Sequence, residues 1–81
     1  MLVREIIDHL CDRYGATHRD ITPWVREWRT RTGNTYVISN KPELFAIFHR
    51  FPDGRKWNFY DPRPTLATAV HFIDMMEARH G

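Results

Sequence analysis

The chain has little of what marks secreted, membrane-spanning or phosphate-loop proteins. It holds one cysteine, which cannot build a disulfide framework and favours a reducing compartment, so we expect a cytoplasmic location. Its apolar runs are far shorter than the roughly 18 residues that predict a membrane span, and the charged residues Arg4 and Glu5 at the start are unlike a secretory signal. The four glycines stand singly, where caps, turns or the chain end explain them. The sequence therefore predicts no membrane association and no glycine-rich phosphate site.

Residues able to do catalysis or bind metal are present, but their spacing does not group them. The five histidines have no ligand spacing, and Cys11 has no second cysteine to pair with. His49 is the one candidate acid–base residue, and it falls alone at an inward-facing position. We therefore expect no metal, no cofactor and no catalytic residue, which favours a binding protein over an enzyme.

Length and composition indicate one small folded domain spanning residues 1–81. A chain of 81 residues has room for a single core, and 42% hydrophobic with 14% aromatic residues is typical of a globular protein.

Periodicity and turn residues predict the α+β class, in two layers. Apolar residues at helical spacing predict an N-terminal helix over 2–14, and a second stripe after Thr65 predicts a C-terminal helix. Between them, Gly33-Asn34 predicts a hairpin over 28–39, and Pro52-Asp53-Gly54 predicts a second hairpin over 44–60. Segment 21–27 suits either a helix or a strand. The expected fold is a helix, an antiparallel meander of three or four strands, and a helix.

Alternation of side chains predicts which face of the sheet the helices cover. Placing Phe51 opposite Arg55 gathers the apolar residues of the second hairpin on one face, whereas a slip by one residue mixes polar and apolar residues on both. In the first hairpin the two-residue turn places Thr32 opposite Thr35. The predicted core is Ile6, Leu10, Phe45, Ile47, Trp57, Phe59, Val70 and Ile73.

The positive charge is concentrated in the middle of the chain. The net charge is +2, but residues 18–56 alone carry eight basic against four acidic residues. Two helices cover only one face of a small sheet, so we expect the other face to expose rings among cations. The predicted binding residues are Arg29, Arg31, Tyr36, Phe48, Arg50, Lys56, Asn58 and Tyr60.

Rings between cations are suited to nucleic acid, because bases stack on the rings while the cations neutralise phosphates. We therefore expect a non-catalytic module that binds RNA or DNA, with single strands favoured. The alternative is a small adaptor or inhibitor that binds an acidic protein surface, and a homodimer or residues 15–27 are further ways to cover the rings.

Two known arrangements are similar to parts of this chain. Residues 10–24 resemble a helix-turn-helix motif, with Gly15 at the turn and Ile21 and Trp24 at later core positions, although Pro23 interrupts the expected recognition helix. The order helix, meander, helix is similar to the double-stranded-RNA-binding fold, without the basic start of its second helix. Neither likeness is specific enough to assign a family.

Overall fold

The computed structural model describes residues 2–79 as two helices and a five-stranded antiparallel sheet. In chain order the elements are α1 (Leu2–Tyr14), β1 (Thr17–Thr22), β2 (Val25–Arg29), β3 (Thr35–Asn40), β4 (Phe45–Arg50), β5 (Phe59–Asp61) and α2 (Leu66–Arg79). The strands lie side by side in the order β1-β2-β3-β4-β5, and both helices pack on one face. This confirms the α+β class and the helix, meander, helix order, with five strands where three or four were predicted.

Strand β1 is the element that the sequence pattern missed. All six of its residues are exposed, so it has no alternation of apolar and polar side chains to reveal it. It turns at Pro23 into β2, and Arg19 pairs with Glu27 across the two strands. Segment 21–27 is thus two strand ends and a turn. The likeness to a helix-turn-helix motif ends here, since its second helix is a strand.

The predicted register of the first hairpin is wrong. Thr35 pairs with Arg29 instead of Thr32, and a loop over 30–34 replaces the two-residue turn. The loop forms because Asn34 is not free to act as a turn residue: its side chain is fully buried and donates to Glu77 at 2.8 Å. A shift by three residues exchanges the faces of the strand. Tyr36 therefore lies under the helices and Val37 on the open face.

The predicted register of the second hairpin is confirmed. Ile47 pairs with Phe59, and the N–H of Phe51 donates to the carbonyl of Arg55 at 2.7 Å. Gly54 has a φ of 95°, which supports the tight return that the Pro-Asp-Gly sequence predicts.

The core lies between the helices and the sheet, and most of the predicted members belong to it. Ile6, Leu10, Phe45, Ile47 and Ile73 are buried, and Phe59 packs partly buried against them. Two predicted members are misplaced: Val70 is only partly buried, and Trp57 is 47% exposed. Trp57 precedes β5 at the edge of the sheet, and Phe72, which is absent from the predicted core, is buried instead.

Because Trp57 is half-exposed, replacing it should lower the stability of the protein only slightly. Its ring is covered mainly by Arg79, whose guanidinium carbon lies 4.8 Å from the ring centroid. We expect Trp57→Ala to lower the free energy of unfolding by about 1–2 kcal/mol, because only about half of the ring is buried and an exposed cation–π contact contributes little. Phe72→Ala should cost about 3–5 kcal/mol as a buried ring. Denaturant unfolding of both variants would contradict this placement if Trp57→Ala were as damaging as Phe72→Ala.

A buried carboxylate joins α2 to the loop over 30–34. Glu77 is 5% exposed and accepts hydrogen bonds from four side chains. The donors are the hydroxyls of Thr30 (3.0 Å), Thr32 (3.0 Å) and Tyr36 (2.7 Å) and the amide of Asn34 (2.8 Å). A buried carboxylate destabilises the fold unless several donors bind it. Because its donors lie in the loop over 30–34 and at Tyr36, forming these hydrogen bonds fixes the register of the first hairpin.

His49 extends this network and makes the fold sensitive to acid. The ring is 1% exposed, its Nε2 lies 3.2 Å from the side-chain oxygen of Asn34, and its Nδ1 has no hydrogen-bond partner among residues 2–79. Burial lowers the pKa of His49 to about 4, although Glu77 opposes the shift. In the unfolded chain the histidine pKa is near 6.5. Between pH 6.5 and about 4, the unfolded chain therefore binds a proton at His49, whereas the folded chain keeps this ring neutral.

Stability should consequently fall as the pH drops from 6.5 towards 4. The shift in the His49 pKa from 6.5 to about 4 corresponds to about 3 kcal/mol, present in full above pH 6.5 and lost across this window. His49→Gln, which has no titrating ring, should show a flatter dependence when unfolding is measured by urea at pH 7, 6, 5 and 4. An equal slope in the two proteins would show that His49 is not buried as a neutral ring.

Candidate nucleic-acid interface

The face of the sheet opposite the helices carries a row of cations. Arg29 pairs with Thr35, Thr35 with Arg50, and Arg50 with Lys56, so these four side chains point to the same side on neighbouring strands. With strands about 4.8 Å apart, the row spans about 14 Å from Arg29 to Lys56. We call Arg29, Arg50 and Lys56 the basic row.

Aromatic side chains lie beside the basic row on the same face. Phe48 is 40% and Tyr60 54% exposed, and their rings meet edge to face with centroids 6.0 Å apart. Asn58 supports them: its amide donates to the hydroxyl of Tyr60 at 3.1 Å, and its side-chain oxygen accepts the backbone N–H of His49. We call Phe48 and Tyr60 the aromatic pair.

Two depressions lie on the open face. Shallow depressions of about 480 Å³ and 230 Å³ lie over it, the first beside Arg29 and Arg50 and the second beside Phe48 and Lys56. Thr35 and Ala46 are 9% and 4% exposed although no helix covers this side, because longer side chains stand around them. Cations and the Phe48 ring thus line the hollow that these depressions form.

A carboxylate that sequence reasoning missed lies within the hollow. Glu27 is 8% exposed and binds the guanidinium groups of Arg19 at 3.0 Å and Arg50 at 3.5 Å. Glu27 shares this face with Arg29, two residues further along β2, whereas Arg19 belongs to it only because β1 pairs with β2, and β1 has no alternation that predicts a strand. Four basic groups therefore surround one acidic group, and Glu27 holds two of those cations in place.

Six of the eight predicted binding residues are on this face, and two are not. Arg31 lies at the end of α1, where its N–H donates to the carbonyl of Tyr14 and its guanidinium occupies the space beside Gly15. Tyr36 is fully buried under α2, and burial together with the hydrogen bond to Glu77 raises the pKa of its hydroxyl. Both misplacements follow from the wrong register of the first hairpin.

Outside the open face, the described part of the chain shows no cluster of metal ligands and no activated thiol. Among residues 2–79, no three histidine, cysteine, aspartate or glutamate side chains group as metal ligands. Burial, reinforced by Asp12 and Asp8, raises the pKa of the Cys11 thiol, which makes it a poor nucleophile. No helix within this range is both long and apolar enough to cross a membrane.

Comparison with known proteins finds no matching family model, no similar curated protein and no similar solved structure. The fold is an α+β two-layer arrangement, and one face of its sheet carries the basic row and the aromatic pair.

Proposed function

We propose that this protein binds single-stranded nucleic acid, RNA or DNA, across the open face of its sheet. The observation that carries the proposal is the basic row lying directly beside the aromatic pair, with both rings partly exposed. A strand crossing the sheet places its phosphates over Arg29, Arg50 and Lys56. Its unpaired bases then stack on Phe48 and Tyr60, as rings accept bases of any sequence.

The cations of the face are arranged to meet phosphates without a large entropy cost. Glu27 holds the Arg50 side chain in one orientation through their 3.5 Å contact, and such preorganisation reduces what binding must order. The charge of Glu27 also repels phosphate, which limits affinity. Together, these two effects of Glu27 favour a binding module of moderate affinity and low sequence selectivity. We propose that it works in the cytoplasm, where a lone thiol such as Cys11 stays reduced.

A salt series tests the proposal with a short fluorescent single-stranded RNA. Three phosphate contacts on the basic row give a slope of about −2 in the logarithm of the association constant against the logarithm of salt concentration. The alternative partner, an acidic protein surface, predicts that the probe is not retained. Absence of binding to RNA and to DNA probes at about 50 mM salt would overturn the proposal.

Removing the rings should weaken binding without changing its salt dependence. Phe48→Ala and Tyr60→Ala should each lose about 1–3 kcal/mol of binding free energy, because stacking releases no counterions. Trp57→Ala is the matched control, since it removes a half-exposed ring on the helix side of the molecule. Equal losses of binding free energy in all three variants would mean that removing a ring weakens binding by destabilising the fold and not by removing a stacking contact.

A further inference from the structure

Trp24 has no role in the open face, and it is the most exposed large apolar residue described. It is 91% exposed at the turn between β1 and β2, where its N–H donates to the hydroxyl of Thr22 at 3.2 Å. Ile21 and Val25 flank it at 50% and 37% exposed. Leaving an indole in water forgoes the free energy that burial of this side chain would supply.

An apolar groove adjoins Trp24 on the helix side of the sheet. The groove has a volume of about 350 Å³ and runs between the β1–β2 hairpin and α1. Its apolar walls are Val3 and Ile7 from α1 and Trp28 and Ile38 from the sheet, and Trp24 stands at its rim. The exposed Trp24 ring and an apolar groove are therefore neighbouring parts of one surface.

The charges around this surface select against a strongly charged partner. Arg26 binds Asp20 at 2.8 Å on the hairpin wall, and Arg4 lies 3.7 Å from Asp8 on α1. Each wall is thus neutralised within itself and presents both signs, unlike the open face. A partner whose own surface is apolar with paired charges meets no unpaired charge here, and a second copy of this chain has such a surface.

We propose that this surface is a self-association site, in which Trp24 of each of two copies enters the groove of the other. A twofold interface requires that the same patch carry both complementary features, which Trp24 and its adjoining groove satisfy. Burial of two indoles covers roughly 300–500 Å², and the apolar groove walls that they contact add to this area, which together stays at the small end of the roughly 1,200–2,000 Å² that a stable complex buries on both partners. The dimer is therefore weak, with a dissociation constant of about 10 μM to 1 mM. It leaves the open face free, so it is independent of nucleic-acid binding.

Sedimentation velocity of the nucleic-acid-free protein from about 10 μM to 1 mM tests the site. We expect Trp24→Ser to raise the dissociation constant about 100-fold, since the variant loses both insertions and each tenfold loss corresponds to about 1.4 kcal/mol. Its melting temperature should stay within a few degrees of the wild type, because Trp24 is already 91% exposed. Tyr60→Ala, an exposed ring on the open face, is the matched control and should dimerise as the wild type does.

Mixing two defective variants tests reciprocity. Val3→Glu places a charge in the groove wall at the start of α1, where the helix dipole favours an acidic group, and its melting temperature shows whether the fold survives the loss of a side chain that packs partly buried against the core. A mixture of Trp24→Ser and Val3→Glu retains one intact insertion, so the heterodimer should be about tenfold tighter than the homodimer of either variant and about tenfold weaker than the wild-type dimer. A wild type that stays monomeric to about 1 mM overturns the proposal, as does a Trp24→Ser variant that dimerises normally or a Tyr60→Ala variant that does not.

Discussion

Replacing Glu77 by alanine is expected to cost about 3–5 kcal/mol of unfolding free energy, much of what a domain of this size has. The reason is the number of donors that lose their acceptor: Thr30, Asn34 and Tyr36 are all buried and all donate to this carboxylate. A buried donor left without a partner costs about 1–3 kcal/mol. Equilibrium denaturation by urea measures the loss directly.

Two comparisons make the result specific. Glu77→Gln keeps the shape but offers one acceptor oxygen and adds two N–H donors among existing donors, so it should also be destabilised by several kcal/mol. Glu5→Ala removes a carboxylate from the exposed side of α1 and should change stability by less than about 0.5 kcal/mol. Similar stability of the Glu77 and Glu5 variants would show that the buried network does not hold the loop.

Reversing two charges of the basic row is expected to weaken nucleic-acid binding by about 10- to 100-fold at low salt. Arg29→Glu with Lys56→Glu changes the open face by four charge units while sparing the ion pairs of Glu27 with Arg19 and Arg50. With one cation of the row left, the salt slope should fall from about −2 to about −0.7. Fluorescence anisotropy with the single-stranded RNA probe measures both quantities.

The control is a double variant with the same change in net charge, introduced at residues outside the open face. Arg4→Glu with Arg63→Glu also changes the charge by four units, and both residues are exposed outside the sheet. Binding by the control should fall only a fewfold through the long-range field. If the two double variants bind equally, net charge and not the open face determines affinity.

The parts of the fold that depend on local patterns could be read from the sequence. The helix over 2–14 follows from apolar residues at helical spacing, and the second hairpin from its turn residues and the single register that separates its faces. That register also placed Phe48, Arg50, Lys56, Asn58 and Tyr60 on the open face.

The errors arise where a distant contact overrides a local signal. Gly33-Asn34 has the composition of a two-residue turn, but Asn34 binds Glu77, which is 43 residues away in sequence. A long-range hydrogen bond of this kind leaves no periodic pattern in the sequence, so the sequence wrongly predicts that Tyr36 and Arg31 lie on the open face. β1 was missed for a related reason, because an edge strand with every side chain exposed lacks alternation.

The most direct test of the open face as the binding surface is an NMR titration of the wild-type protein with a short single-stranded RNA. Amide signals of Arg29, Phe48, Arg50 and Tyr60 should shift progressively as RNA is added. Those of Leu10 and Ile73, which are buried in the helices on the other side, should stay in place. The largest shifts on α1 and α2, or no shifts at saturating RNA, would contradict the account.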